Sequence, residues 1–221
     1  MRPISECRFY GILDLGYVGA ARATALATLL IEGGVEILQL RAKNKTADEI
    51  REIAQALHSV TSRRQVPLII NDDPDVAGAI GAEGVHVGQD DMPVQEARRI
   101  AGRPVVVGKS THNVEQAIAA EREGADYIGF GPLFATPTKP DYRPIGLNDI
   151  ERLYEQVKIP VFCIGGIKLD NLAEVIAAGA RGVVIVSGLL QASDPADYAR
   201  SAKQVLIGAV PIETQKLKIK N

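Results

Sequence analysis

The chain has 221 residues, which is enough to bury a sizeable core as one domain, and its composition of 46% hydrophobic and 24% charged residues is ordinary for a globular protein. The formal net charge is -2, and neither half of the chain is a basic block. This charge distribution excludes the electrostatic footprint of a nucleic-acid-binding protein.

The two cysteines, Cys7 and Cys163, lie far apart and form neither a disulfide framework nor a metal-binding spacing. We interpret Cys163, inside an apolar run, as a small core residue. The N-terminus lacks the apolar region of a signal peptide, and no run approaches the ~20 residues of a membrane span. We therefore expect a cytoplasmic enzyme or binding protein with no membrane partner.

Short apolar runs rich in β-branched residues alternate with longer segments of helical periodicity along the whole chain. The predicted strands cover residues 9–14, 35–41, 67–71, 84–87, 105–109, 127–129, 161–164 and 183–186. The predicted helices cover residues 20–32, 46–63, 75–81, 94–101, 113–123, 147–156, 169–178 and 194–206. Start signals support two of the helices, because Thr46 precedes Glu49 and Asp194 precedes Pro195.

Small glycine hinges separate several helices from the strands that follow. They are Gly33-Gly34, Gly81-Ala82, Gly124-Ala125 and Gly179-Ala180. Glycine at such a point ends a helix in the left-handed conformation and lets the chain enter the next strand. Eight βα units in one chain favour a single α/β domain, a closed (β/α)8 barrel with its core over about residues 9–206 and a tail over 207–221. The alternative is a doubly wound open sheet, whose glycine-rich fingerprint is only faintly suggested by Leu15-Gly16-Tyr17-Val18-Gly19.

In such a barrel the reactive groups lie at the C-terminal ends of the strands. The second predicted strand ends in Gln39-Leu-Arg41-Ala-Lys43. Its period of two sends Gln39 and Arg41 to one side, and Lys43 as well if the extended conformation persists. A solvated edge is the alternative, although a parallel strand buried on both faces cannot easily hide two cations without anions.

Carboxylates follow the next two strands. The third strand ends in Asn71-Asp72-Asp73, and the fourth leads through His86 to Asp90-Asp91. We predict that Asp72 and Asp91 hold Mg²⁺, which favours one or two carboxylates together with substrate phosphates and waters. Plain ion pairs with the cations are the alternative. Asp73 precedes Pro74 and is interpreted as a helix cap, and His86 as a hydrogen-bonded core group in preference to a catalytic base.

Phosphate-binding candidates follow strands five to eight. The loop Gly131-Pro-Leu-Phe-Ala-Thr-Pro-Thr-Lys139 presents Thr136, Thr138 and Lys139, whose hydroxyls and ammonium suit phosphate oxygens; an ordinary Pro- and Thr-rich surface loop is the alternative. Ser110 is a candidate phosphate donor or helix cap, and His112 an acid–base candidate or an idle loop residue. Barrels often bind a phosphate between loops seven and eight, where Gly165-Gly166 and Ser187 lie. Two phosphate-bearing ligands are therefore predicted.

Over about residues 10–206 the chain resembles the thiamine-phosphate synthase family, also called thiamine-phosphate pyrophosphorylase. The motifs that carry the resemblance are Gln39-Leu-Arg-Ala-Lys43, Asn71-Asp72, His86-Val-Gly-Gln-Asp-Asp91, Gly131 to Lys139, Gly165-Gly166-Ile167 and Val186-Ser187. The resemblance implies joining of 4-amino-5-hydroxymethyl-2-methylpyrimidine diphosphate to 4-methyl-5-(2-phosphoethyl)thiazole, carboxylated or not, with release of pyrophosphate and with Mg²⁺ as cofactor.

The resemblance also implies a role for each candidate residue. Asp72 and Asp91 would bind the metal, and Gln39 would contact the pyrimidine. The diphosphate would be held by Arg41, Lys43, Asn71, Ser110 and Lys139, of which Arg41, Lys43, Ser110 and Lys139 are the catalytic candidates. The thiazole phosphate would bind to Thr136, Thr138, Gly166 and Ser187. The pyrimidine diphosphate would ionise to a cation before the thiazole nitrogen attacks, in keeping with a sequence that shows no Cys or Ser beside a base in a nucleophile arrangement.

Departures from the family pattern keep two other functions open. The eighth strand ends in Val-Ser187-Gly-Leu, which resembles the related thiazole tautomerases, although the aspartate pair and the Thr-x-Thr-Lys pattern are intact. A non-catalytic barrel that binds thiamine intermediates is the third candidate. The expected partners are the two small-molecule substrates, with no nucleic acid, and a homo-oligomer stays open.

Overall fold

A computed structural model describes residues 1–136 and 143–208 of the chain. Its eight strands pair in chain order, all parallel, and close into a barrel where β1 pairs with β8. The strands are β1 Phe9–Asp14, β2 Ile37–Arg41, β3 Leu68–Asn71, β4 Gly84–Val87, β5 Val106–Thr111, β6 Tyr127–Phe130, β7 Val161–Cys163 and β8 Val183–Ile185. The helices are α1 Ala23–Glu32, α2 Ala47–Arg63, α3 Pro74–Ile80, α4 Val94–Ala101, α5 Val114–Glu123, α6 Ile150–Gln156, α7 Leu172–Ala177, α8 Ser187–Leu190 and α9 Pro195–Ile207.

This closed (β/α)8 barrel confirms the predicted fold and excludes the doubly wound open sheet. The glycine hinges are confirmed as well, since Gly34, Gly81, Gly124 and Gly179 all have positive φ. Three predicted helices begin three residues later than expected, namely α1, α6 and α7. The helix predicted from residue 169 begins at Leu172, because the Asn171 side chain accepts a hydrogen bond from Lys168 N and holds a turn there.

Helix-start signals are also confirmed. Thr46 and Glu49 form a complete capping box at the start of α2. The Asp194 side chain accepts from Asp197 N at the start of α9, and Pro195 fills its first turn. The short helix α8 was not predicted, because four residues are too few to show a helical period.

Two apolar layers hold the barrel together. The larger one lies between the strands and the surrounding helices. The smaller one fills the barrel interior and is centred on Tyr10, Tyr127 and Phe162. The Phe162 ring meets the two tyrosine rings edge-on at centroid distances of 5.4 and 5.8 Å. Edge-to-face packing of this kind favours one arrangement of the rings and makes a rigid floor for the cavity above.

Both cysteines are free and buried. Cys163 is fully buried, which confirms its interpretation as a small core residue, and burial raises the pKa of its thiol to about 12. Among the helices of residues 1–136 and 143–208, none combines the length and the apolar character that crossing a membrane requires.

Glu36 joins the N-terminal segment, β1 and α9 through one carboxylate that is 10% exposed. Its Oε2 accepts from Arg8 N at 2.8 Å and from Phe9 N at 3.0 Å, and its Oε1 lies 2.6 Å from Lys203 Nζ. Burial by itself raises the pKa of Glu36, but the bonds from Lys203 and from the two backbone amides outweigh it and hold the pKa below 4.5. The ionised form is therefore the one that the fold stabilises.

We expect Glu36→Gln to lower the free energy of unfolding by about 1–3 kcal/mol at pH 7. Because the pKa of Glu36 is lowered in the folded state, its contribution is complete above pH 4.5 and is lost as the pH falls through the folded value, so the two proteins should converge in acid. Urea unfolding at a series of pH values measures this. Glu32→Gln is the control, since the exposed pair of Glu32 with Arg64 is worth about 0.5 kcal/mol. Equal effects of the two substitutions would contradict the prediction.

Candidate active site

One cavity opens at the C-terminal ends of the strands, where the sequence predicts the reactive groups. Seven of the predicted site residues line it. Gln39, Arg41 and Asn71 come from β2 and β3, and the others are Ser110, Thr136, Gly166 and Ser187. Lys43, Asp72 and Asp91 lie outside this lining. Thr138 and Lys139 lie outside the described residues.

The end of β2 alternates as predicted. Gln39 and Arg41 border the cavity, whereas Leu40 and Ala42 pack in the layer between strands and helices. Arg41 Nη1 lies 2.6 Å from Asp14 Oδ2, and Asp14 is 2% exposed. This buried carboxylate at the end of β1 stabilises the positive charge of Arg41 and fixes part of its guanidinium, while other N–H groups of the fork stay available for a ligand.

Lys43 does not continue the strand. Strand β2 ends at Arg41, and Asn44 turns the chain with a φ of 68°. The Lys43 side chain is exposed and lies 3.5 Å from Asp72 Oδ2. This ion pair links Lys43, one of the two predicted cations after β2, to the predicted metal ligand Asp72. Asp72 directly follows Asn71, which lines the cavity.

The two predicted metal ligands influence each other. Burial, together with the nearby negative charge of Asp91, raises the pKa of Asp72 above its ordinary value. The backbone of Asp72 is in the left-handed region, with a φ of 62°, and its N–H donates to His86 O at 2.9 Å. Asp91 Oδ2 accepts from Gly88 N at 2.6 Å. Two neighbouring carboxylates whose negative charges repel each other favour a cation between them.

Asp72 and Asp91 supply only two carboxylates, which is fewer ligands than Mg²⁺ needs. This ion nevertheless usually takes only one or two carboxylates from the protein. Within the described part of the chain, no group of three or more His, Cys, Asp or Glu side chains could hold a metal by itself. A pair of carboxylates leaves coordination positions for phosphate oxygens and water, which Mg²⁺ usually retains. The donor set is therefore suited to a metal that arrives with a diphosphate.

A buried chain of hydrogen bonds forms the cavity floor. Gln39 Nε2 donates to Tyr10 Oη at 2.8 Å, and Tyr10 Oη lies 3.1 Å from Tyr127 Oη. Tyr127 Oη lies 3.1 Å from His86 Nδ1, and His86 Nε2 lies 3.0 Å from Ser110 Oγ. His86 is hydrogen-bonded, as predicted, and also borders the cavity.

The contact between His86 and Ser110 places a serine beside a histidine, a pairing that the sequence alone did not predict. The two residues are 24 positions apart, but β4 and β5 pair side by side, with His86 opposite Gly108, and this register brings the side chains together. His112 also borders the cavity, and its Nδ1 lies 2.5 Å from Gly131 O. A carbonyl oxygen only accepts, so this contact is a hydrogen bond when Nδ1 carries a hydrogen.

The loops after β6 and β7 are joined by backbone hydrogen bonds. Leu133 N donates to Ile164 O at 2.8 Å, and Phe134 N donates to Gly165 O at 3.0 Å. Gly165 and Gly166 have φ of 99° and 66°, so their amides take positions that a side chain would obstruct. Ser187, which follows the neighbouring strand β8, opens α8 and also borders the cavity. Backbone N–H groups of glycine loops and helix starts are suited to phosphate oxygens.

Gly166→Ala should disrupt this part of the cavity. A Cβ at Gly166 would stand 2.7 Å from Phe134 Cβ and 2.9 Å from Ala135 O, so the loop that carries Thr136 must shift. For the thiazole phosphate, the substrate that the family resemblance assigns to this loop, we expect KM to rise about tenfold or more, with less effect on KM for the expected pyrimidine diphosphate. Gly102→Ala is the control, because Gly102 has a φ of 65° but its nearest atom is 3.9 Å away. Equal KM values in the two variants would contradict the prediction.

The sequence did not single out Asp14, Tyr10 or Tyr127 as site residues. Asp14 could have been predicted as a site residue, because it is a charged residue at the end of the first predicted strand. The two tyrosines could not have been predicted as site residues, because an aromatic residue inside an apolar strand is usually part of the core.

Comparisons with known proteins identify the family of this chain. The family described as thiamine monophosphate synthase matches residues 9–189. A thiamine-phosphate synthase of Chloroflexus aurantiacus is 43% identical over 204 residues, which cover 92% of this chain and 94% of that protein. One from Halalkalibacterium halodurans is 46% identical, with 86% and 90% covered. The solved thiamine phosphate pyrophosphorylase of Pyrococcus furiosus superposes with a TM-score of 0.84 at 34% identity, with 92% and 97% covered. The chain therefore belongs to the thiamine monophosphate synthase family and is a transferase of thiamine biosynthesis.

Proposed function

We propose that this protein joins 4-amino-5-hydroxymethyl-2-methylpyrimidine diphosphate to 4-methyl-5-(2-phosphoethyl)thiazole, carboxylated or not, to give thiamine phosphate and pyrophosphate. The observation that carries this proposal is that two different groups of residues line one cavity, one with charged and amide side chains and one with glycine backbone and a serine. Gln39, Arg41 and Asn71 lie on one side, next to the paired carboxylates, and the glycine loop and Ser187 lie on another. One diphosphate and one monophosphate suit these two groups of residues.

Asp72 and Asp91 would hold Mg²⁺, which would supply positive charge for the leaving pyrophosphate. Arg41, Lys43, Asn71, Ser110 and Lys139 would hold the diphosphate. Arg41 is suited to this because the buried Asp14 keeps its guanidinium oriented before the ligand arrives. Gln39 would contact the pyrimidine, and Thr136, Thr138, Gly166 and Ser187 would receive the thiazole phosphate.

The residues support a dissociative reaction, in which the C–O bond to pyrophosphate breaks before the thiazole nitrogen attacks the pyrimidine-methyl cation. Neither thiol is a candidate nucleophile, since burial raises the pKa of Cys7 to about 11 and that of Cys163 to about 12. The cations and hydrogen-bond donors at the mouth would instead stabilise the charge that develops on pyrophosphate.

One assay separates this function from its rivals. The purified protein is incubated with both substrates, with Mg²⁺ or with excess EDTA, and thiamine phosphate and pyrophosphate are quantified. We expect equal amounts of both products with Mg²⁺ and none with EDTA. Conversion of the thiazole alone, without metal, would favour a tautomerase, and tight substrate binding without product would favour a binding protein. Either outcome would overturn the proposed function.

A further inference from the structure

The chain of hydrogen bonds from Gln39 to Ser110 has a direction that the positions of its hydrogens determine. Tyr10 and Tyr127 are 2% and 0% exposed. Burial raises the pKa of both phenols above the ordinary value, so each hydroxyl keeps its hydrogen at neutral pH. Each hydroxyl can donate that single hydrogen once and accept from a neighbour.

Counting hydrogens between Gln39 and His86 distinguishes the two neutral forms of the histidine. Three contacts join Gln39, Tyr10, Tyr127 and His86 Nδ1. If Nδ1 is an acceptor, then Gln39, Tyr10 and Tyr127 supply one hydrogen each and every contact has one. If Nδ1 carries a hydrogen, four hydrogens compete for the same three contacts, and one buried tyrosine hydrogen has no acceptor among the described residues. Buried donors without partners are destabilising and rare.

We propose that this chain holds His86 as the neutral tautomer with its hydrogen on Nε2, so that His86 donates to Ser110 and the Ser110 hydroxyl donates into the cavity. Tyr127 and Tyr10 are then positioning residues, which act on a ligand through His86 and Ser110. The inference rests on the proposed function, because the diphosphate supplies the oxygen that accepts from Ser110.

The same tautomer decides what the pairing of serine with histidine does. A histidine activates a serine as nucleophile only when the nitrogen that faces the hydroxyl is unprotonated. At 3.0 Å from Ser110 Oγ, an Nε2–H group is a donor and cannot take the serine proton. The floor of the cavity therefore makes Ser110 a hydrogen-bond donor toward charge on the leaving group and prevents a covalent serine intermediate.

Nitrogen NMR of the histidine rings in the ligand-free wild-type protein tests the tautomer directly. The chain has three histidines, and His58→Gln and His112→Gln variants assign the His86 signals by elimination. We expect His86 with hydrogen on Nε2 and an unprotonated Nδ1. A hydrogen on Nδ1, alone or with Nε2 also protonated, would overturn the proposal. A hydrogen on Nδ1 alone would mean that Gln39 presents its carbonyl oxygen to Tyr10. Each hydrogen bond from His86 to Gln39 would then be donated in the opposite direction.

Tyr127→Phe tests the effect of the chain on catalysis, with Tyr154→Phe as the matched control. Tyr154 also has a largely buried hydroxyl with two partners, Val161 O at 3.2 Å and Arg181 N at 2.9 Å, but it does not border the cavity. We expect Tyr127→Phe to give a mixture of His86 tautomers and to lower kcat about tenfold, with a smaller change in KM. Tyr154→Phe should keep the tautomer and change kcat less than about twofold. An unchanged His86 tautomer, or equal kcat values in the two variants, would contradict the proposal.

The two readouts separate this inference from the proposed function. A wild-type protein that forms no thiamine phosphate would refute the function, whereas the tautomer is measured without any substrate. A wild-type protein that is active but carries hydrogen on Nδ1 would refute the inference alone. The wild-type spectrum decides the question even if Tyr127→Phe does not fold.

Discussion

Asp72→Asn is expected to lower kcat about 10²–10³-fold, the usual effect of losing one electrostatic contact to a transition state, while the protein stays at least as stable as the wild type. Asparagine has nearly the same shape as aspartate and tolerates the left-handed backbone, so the φ of 62° at this position should be kept. What is lost is the negative charge that would hold Mg²⁺ next to the diphosphate.

The stability half of this prediction follows from the pKa of Asp72. Burial and the charge of Asp91 raise that pKa, so the ionised carboxylate at pH 7 is less favourable in the folded protein than in the unfolded chain. A neutral side chain removes this penalty, although it also removes the pair with Lys43, whose long contact of 3.5 Å is worth little. Loss of activity together with retained or higher stability is typical of a binding site and not of a structural ion pair.

The neighbouring substitution Asp73→Asn is the matched control. Asp73 Oδ1 accepts from Val76 N at 3.1 Å and caps α3, and asparagine caps about as well, so kcat should stay within about twofold of wild type. Steady-state assays over a range of Mg²⁺ concentrations measure the activity, and thermal unfolding without metal measures the stability. If Asp72→Asn kept wild-type kcat at saturating Mg²⁺, Asp72 would not be a metal ligand.

Much of the fold could be predicted from the sequence because its signals are local. Strand and helix periods, glycine hinges and caps each depend on a few adjacent residues, and their repetition in eight units leaves a closed barrel as the natural arrangement. Helix α8 escaped prediction because its four residues are shorter than any period. The later start of α7 depends on the Asn171 side chain, which accepts from a backbone amide instead of joining a helix.

Many of the residues that border the cavity could be predicted from the sequence, but the contacts between them could not. The ends of parallel strands meet at one mouth, so Gln39, Arg41 and Ser110 were expected near one another. Which side chain touches which depends on the register between strands, as where Asp14 lies opposite Arg41. The same rule of polar strand ends, applied to the first strand, would have included Asp14.

Arg41→Gln is expected to lower kcat/KM for the pyrimidine diphosphate about 10²–10³-fold, because it removes a fixed cation from the proposed diphosphate site. It should also lower the free energy of unfolding by about 3 kcal/mol, since it leaves the Asp14 carboxylate, 2% exposed, without its ion pair. Enzyme kinetics and urea unfolding on the same preparation give the two values.

Asp14→Asn changes the other member of the pair and should act differently. The asparagine oxygen can still accept from Gly16 N, as Asp14 Oδ1 does at 2.9 Å, and Arg41 keeps its charge. We expect kcat/KM to fall only about tenfold, because the guanidinium is less well oriented but still present.

The double variant Asp14→Asn with Arg41→Gln separates the stability of the ion pair from its role in catalysis. Removing both charges leaves no buried charge unpaired, so most of the stability lost in Arg41→Gln should return. Activity should not return, because the fixed cation that Arg41 supplies at this edge of the cavity is still missing. If the double variant recovered both stability and activity, Arg41 would serve only to neutralise Asp14, and the proposed diphosphate site would have to lie elsewhere in the mouth.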